Sequence, residues 1–423
     1  MKHLIRHLPF VFLFVSNCLT GSAQDKITLH ECYMLARTNS VLVENFRFLD
    51  ESDDLAKAVI ASGNLPDVAL SGSATYQSDV FALPFSVPNA TIPEVPKDQY
   101  SVALNVTQSI YDGGSSTMQQ RISELDNEAS RDALEIRFYE INSVINNLYF
   151  GVLQSMASEQ VLNVQKSELD NQHTRVTAGL ESGITLTSAQ LTIEKSMIQV
   201  EAELKSVQQM KEVQLRNLSK WIGRSLTEES ISLPEVSAQP NAINRPELGA
   251  LTTKMEKLEA NSSLLQANKR PRVSAIVSGG YGQPNPLNFF ETDFQPYYLL
   301  GLKLQWKLID WGQISNRQAQ LTLSQNMIDR EIEHFERTIQ NQADLLVQEI
   351  ATVRNKLDAD TRQYDLQKQI FESDKNRFEQ GVLSASDYVS SLNELQSLEL
   401  QIELDKIQIS RMNIELLTLT GNL

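Results

Sequence analysis

Cysteine is nearly missing from this 423-residue chain, which holds only Cys18 and Cys32. Loss of a leader that includes Cys18 leaves Cys32 alone, so neither a disulfide framework nor a cysteine-based metal site is available. Histidine is also scarce. Beyond His3 and His7, the remaining His30, His173 and His334 stand far apart, with no companion at ligand spacing, and each reads as a solvated helix residue. There is no phosphate-binding P-loop and no H-E-x-x-H metalloprotease motif, and "GGYGQ" at Gly279 reads as strand with no phosphate-binding helix behind it. No catalytic constellation emerges, so neither an enzyme nor a bound cofactor or metal is expected. Basic patches are lacking too: the formal charge is −16, and nucleic acid is excluded as a partner for want of a surface to hold its phosphates. No apolar run approaches the ~20 residues of a membrane-crossing helix. Proline is absent over two long stretches, Gly113 to Ala178 and Gly312 to Gln380.

What is present begins with an export leader. Lys2 and Arg6 precede the apolar run Leu8–Val15 and the small residues Gly21-Ser22-Ala23, which predicts a signal peptide over 1–23 cut after Ala23. Val15-Ser16-Asn17-Cys18 offers an alternative, a lipoprotein processing site at Cys18. Removing Lys2 and Arg6 takes the charge from −16 to −18, and an acidic exported protein favours cationic or neutral cargo.

The rest of the chain is written twice, at a period of roughly 200 residues, too long for a solenoid repeat. "LPDVALSGSATYQ" at Leu65 matches "RPRVSAIVSGGYGQ" at Arg270, and "YSVALNVTQSIYDGG" at Tyr100 matches "YLLGLKLQWKLIDWG" at Tyr298. Asp112 then falls over Asp310 and Gly114 over Gly312. The first half spans 24–228 and the second 244–423, with a linker at 229–243; each half reads helix, strand, loop, strand, long helix, turn, helix. Strands are expected at about 66–77, 100–111, 271–282 and 298–309 from their period-two alternation, for example Val68, Leu70 and Tyr76 against Ser71, Ser73 and Thr75. Ile276 blurs the polar face of the third.

Helical period replaces this in Phe138, Ile141, Ile145, Leu148 and Val152, in Ile193, Met197, Val200, Leu204 and Val207, and in Ile328, Ile332, Phe335 and Ile339. Two helical hairpins follow, about 113–224 and 312–421. Each proline-free stretch is long enough for a single helix of about 100 Å. Their tips are written alike. "RFEQGVLSASDY" from Arg377 carries Gly381, Ser384 and Asp387, and "RVTAGLESGITL" from Arg175 carries Gly179, Ser182 and Thr185 at the same offsets. The pattern predicts a glycine stop followed by a serine cap, with a capping box at Ser384 and Asp387.

Four strands with one apolar face cannot close a barrel, since membrane barrels begin at about eight and an open edge in lipid leaves backbone groups unsatisfied. The chain is therefore expected to pool its strands with copies of itself. Tyr76, Tyr281 and Trp306 are candidates for the aromatic positions at the membrane interfaces. A soluble sandwich with coiled-coil arms is the competing fold, but the proline-rich loops joining the paired strands suit the exposed side of a barrel.

With "YDGG" and "IDWG" ahead of the long helices, "NRPEL" from Asn244 opening the second half, and the two tips, the chain resembles the TolC-like outer-membrane efflux proteins over nearly its whole mature length. The resemblance implies an α+β membrane protein: a homotrimer with a twelve-stranded transmembrane barrel in the outer membrane and an α-helical coiled-coil tunnel crossing the periplasm. It further implies a passive exit duct for an inner-membrane pump, joined through a periplasmic adaptor protein, in tripartite efflux or type I secretion. Family tips touch the adaptor through a glycine turn, often Val-Gly-Leu followed by Ser or Thr. The equivalents here are Gly179, Leu180 and Ser182 in one tip and Gly381, Val382 and Ser384 in the other, each preceded by Ala178 or Gln380 where the family has valine. Asp387 has a second reading as part of an acidic periplasmic gate. A non-conducting coiled-coil scaffold of the envelope is the alternative function. The sequence does not identify the cargo.

Overall fold

The computed structural model describes residues 26–80, 94–238, 242–288 and 291–423. The expected signal peptide, Cys18 and most of the first proline-rich loop lie outside them. Among the described residues no helix is long and apolar enough to cross a membrane.

Each half is built on one very long helix. In the first, α1 (Leu29–Asn39) and α2 (Glu44–Ser62) lead into strands β1 (Asp67–Tyr76) and β2 (Asp98–Tyr111), then α3 (Ser115–Glu181) and α4 (Thr187–Ile222). In the second, α5 (Pro246–Ala267) leads into β3 (Arg272–Gln283), β4 (Gln295–Gln305), α6 (Gln313–Glu379) and α7 (Ala385–Thr420). Both α3 and α6 have 67 residues, about 100 Å at 1.5 Å per residue. With no proline to remove an i→i−4 bond, nothing interrupts them. Each hairpin partner has 36 residues and covers only the tip half of its long helix. Over the rest, α2 lies on α3, through Asn127 Nδ2 to Leu49 O at 3.0 Å and the Arg131–Asp50 ion pair. On the second half α5 bridges α3 and α6, through Arg121–Glu256 at 2.8 Å and Lys254–Glu331 at 3.6 Å.

The start of both long helices shows why the Asp-Gly motifs recur. Asp112 accepts from the N–H groups of Gly114 (2.8 Å) and Ser116 (2.6 Å), and Asp310 from those of Gly312 and Ile314 (both 3.1 Å). One carboxylate thus closes the strand-to-helix turn and satisfies first-turn donors of α3 or α6. The residue after each aspartate is left-handed. At Gly113 a side chain would meet Ala267 O at 2.7 Å, whereas Trp311 adopts the same region at φ 54° and is almost fully exposed.

The strands form one antiparallel sheet in the order β1-β2-β3-β4. Register puts Val68, Leu70 and Tyr76 on one face with Val102, Leu104, Val277, Tyr281, Leu300 and Leu302, all exposed. The opposite face carries a polar chain across three strands: Asn105 Nδ2 donates to Ser71 Oγ and Ser278 Oγ to Asn105 Oδ1, both 2.8 Å. The fourth strand differs from the expected 298–309. It starts at Gln295 and ends at Gln305, because its partner β3 begins at Arg272, opposite Gln305, and supplies no ladder beyond. Trp306 and Leu308 lie past its end.

The expected helical seam is buried. Ile145, Val152 and Ile193 are fully enclosed, and Phe138, Ile141, Val200, Ile328 and Ile339 are nearly so. The largest core sits midway along α3, where Ile27, Leu29, Cys32 and Tyr33 pack on Tyr149 and Phe150. A second lies toward the tips, around Leu169, Val176, Phe371, Tyr388 and Leu392.

Candidate channel wall and docking tips

The two tips lie side by side across a groove of about 800 Å³, lined from one by Arg175, Ile184 and Leu186 and from the other by Gln380, Val382 and Ser384. At the second tip Gly381 is left-handed (φ 73°), its N–H bonded to Phe378 O at 2.9 Å and that of Val382 to Arg377 O at 2.8 Å, a Schellman end. Ser384 then caps α7, accepting from Asp387 N at 3.1 Å. The reciprocal half of the expected capping box is absent: the Asp387 carboxylate accepts a hydrogen bond from the Ser384 hydroxyl at 2.7 Å rather than from the Ser384 N–H.

The first tip departs from the expected register. Gly179 is still inside α3 and Ser182 is the residue on which that helix ends, so neither is the glycine stop or the serine N-cap. Gly183 holds the left-handed position (φ 73°), with Ile184 N bonded to Gly179 O at 2.8 Å and Gly183 N to Leu180 O at 3.0 Å. The equivalent stretches are therefore Glu181-Ser182-Gly183-Ile184 and Glu379-Gln380-Gly381-Val382. Alignment on the arginines Arg175 and Arg377 misses this, although the shared Glu-x-Gly-aliphatic run was a visible signal. Leu186 takes the cap position without a side-chain bond. Ile184, Leu186 and Val382 are exposed and apolar, and Leu180 is half-buried.

Just inside the tips a polar cluster ties three helices together. Glu168 of α3 accepts from Lys375 of α6 at 2.9 Å, from the Tyr388 hydroxyl of α7 at 2.7 Å and from Gln172 at 3.1 Å. Tyr388 is fully buried and stacks on Phe378. Burial opposes the Glu168 charge, but the bonds from Lys375, Gln172 and Tyr388 outweigh it and hold the carboxyl below the usual glutamate range. A depressed folded value means that the stabilisation is complete above the unfolded value of about 4.3 and is lost as pH falls through the folded one. Hydrogen-exchange protection of α3, α6 and α7 near the tips is accordingly expected to fall below about pH 4.5, and Glu168→Gln to flatten that dependence. Protection that is unchanged by acid in the parent protein would contradict it.

At the other end, Tyr76 and Tyr281 share the apolar sheet face with Tyr100 and Tyr298, which sequence reasoning passed over; all four are exposed and sit toward the loop end of the sheet. Phe294 extends the group by stacking on Tyr100. Trp306 lies at the opposite end, its Nε1 donating to Lys269 O at 3.0 Å, near the exposed Leu308, Ile309 and Trp311. The exposed apolar band is thus bounded by aromatic side chains above and below, the pattern of a lipid-facing wall. No group of three or more histidine, cysteine or acidic residues suited to a metal ion occurs among the described residues.

No curated protein matches the sequence. Among solved structures the fold is similar to the outer membrane protein VceC of Vibrio cholerae, at 14% identity with a TM-score of 0.66, covering 93% of this chain and 96% of that one. It is similar also to the CmeC outer membrane channel of Campylobacter jejuni (15%, 0.64, 93% and 85%). The open-state MtrE outer membrane channel of Neisseria gonorrhoeae gives 14%, 0.61, 93% and 88%. The model of a family described as outer membrane efflux protein matches twice, over 52–219 and 239–422, once in each half of the duplication, so the chain belongs to that family and is an outer-membrane efflux channel.

Proposed function

We propose that three copies of this chain close a twelve-stranded barrel in the outer membrane and a helical tunnel beneath it, forming a passive duct that a periplasmic adaptor protein joins to an inner-membrane pump. The observation that carries this is a sheet with two unpaired edges, β1 and β4, and a bare apolar face. Hydrocarbon tolerates neither edge, so each β4 must pair with the β1 of a neighbour. The helices repeat the asymmetry. On the second half α6 exposes Leu323, Met327, Leu345, Leu366 and Ile370, and on the first half α2 and α4 expose Leu55, Val59, Leu191, Ile198 and Met210. Two different apolar flanks, each matched to a different sheet edge, suit a head-to-tail ring.

The tips are the docking surface in this reading. Gly179, Leu180, Ser182, Gly381, Val382 and Ser384 lie in or beside the paired turns, and the exposed Ile184, Leu186 and Val382 offer apolar contact. Asp387, exposed at the start of α7, caps its helix and remains a candidate for an acidic ring at the periplasmic mouth. Planar-bilayer recordings of the purified oligomer test the duct: unitary conductance is expected, and a non-conducting scaffold would give none.

A further inference from the structure

The chain is acidic as a whole, but the polar face of the sheet carries two basic charges to one acidic. Only four strand residues are charged: Asp67, Asp98, Arg272 and Lys303. Asp98 pairs with Tyr76 at the loop end, on the apolar side. The other three fall on the polar face near its helix-side end. Asp67 is level with Thr107 and Ile276, Lys303 lies opposite Ser274, and Arg272 lies opposite Gln305. Above them that face carries Ser71, Ser73, Ser101, Asn105 and Ser278 and no charge.

Lys269, Arg270 and Lys307 flank the same end. Among the described residues, no carboxylate lies within 4.0 Å of any of these five cations. The bonds they make go to neutral acceptors: Arg270 to Gly113 O at 3.1 Å, Arg272 to Asn268 Oδ1 at 2.5 Å and Lys307 to Gln313 Oε1 at 3.2 Å. Cations one step down the helices are paired instead, as Arg121 is with Glu256 and Lys257 with Asp126. The acids closest in sequence, Asp112 and Asp310, cap the positive N-termini of α3 and α6, and Asp310 also lies in the field of Lys269 and Lys307.

We propose that Arg272 and Lys303, repeated around the ring, form a basic collar at the base of the barrel that favours cargo bearing carboxylate, phosphate or sulfate groups. This rests on the channel reading above, and it runs against the cationic or neutral cargo expected from net charge alone. Twelve strands ~4.8 Å apart and tilted ~40° give a backbone radius of about 12 Å, so side-chain charges stand within about one Debye length, ~8 Å, of the axis. Their field therefore reaches passing solute.

The test uses purified channels in planar bilayers under a KCl gradient. Arg272→Gln with Lys303→Gln is expected to shift the permeability ratio roughly threefold toward potassium, the effect of about half a kT of potential, which enriches one ion as it depletes the other. Lys303→Gln alone, which removes no hydrogen bond, is expected to shift it in the same direction by less. Because the tips stand in series with the collar, binding of the trisulfonate dye pyranine to detergent-purified oligomers gives a second readout. Binding should weaken with salt and in both variants. Conducting channels with unchanged selectivity and unchanged dye binding overturn the collar alone, whereas a parent protein that never conducts overturns the channel reading beneath it.

Discussion

Cells whose only copy carries Gly179→Leu and Gly381→Leu are expected to export nothing, while assembled channels remain in their outer membrane. The two substitutions strain the tips in different ways. A Cβ at Gly179 would collide with Thr185 Oγ1 and lie 3.2 Å from Thr185 Cβ, so the loop that follows α3 must move. Gly381 has open space but is left-handed, a conformation costing an L-residue roughly 1–2 kcal/mol. Neither cost threatens helices anchored by the cores at Tyr149 and Leu169, so assembly should survive and only the shape of the docking surface change. Immunoblots of outer-membrane fractions beside a cargo-release assay separate the two. Undiminished export would remove the tips from adaptor docking.

Leu300→Arg is expected to have the larger effect on the molecule itself. Leu300 lies midway along β4 opposite Val277 on the lipid-side face, and is 68% exposed in the single chain. An arginine at the bilayer midplane costs about 2–4 kcal/mol per copy, hence roughly 6–12 kcal/mol for three, enough to prevent stable insertion. The adjacent Leu299 points to the polar face, and Leu299→Gln is expected to insert normally. Heat-resistant oligomers on semi-native gels should vanish for the first and persist for the second. Equal tolerance of both would mean that the sheet face is not lipid-facing.

Much of this was legible because the two periods in the chain are physically distinct. Alternation in Val68–Tyr76 fixes which residues share a sheet face, and three-four spacing in Phe138–Val152 fixes which are buried; the register of the first and the burial of the second came out as read. The Asp-Gly motifs were legible as positions but not as chemistry, since only geometry reveals Asp112 and Asp310 capping their helices. The end of β4 was not legible: Trp306 and Leu308 continue the alternation, and the strand stops because its neighbour has run out. The first tip was misread for a related reason. Gly179 and Gly183 are both glycines before a serine or threonine, and choosing between them needs the helix length. The Glu168–Lys375–Tyr388 cluster was beyond reach, because it joins helices about 200 residues apart in sequence.

The most direct test of the shared wall is the mass of the intact particle released from native membranes in mild detergent. Native mass spectrometry should record three chains and no smaller species that keeps its β-structure. A single chain, stable without lipid and with β1 hydrogen-bonded back to its own β4, would contradict the account at its root.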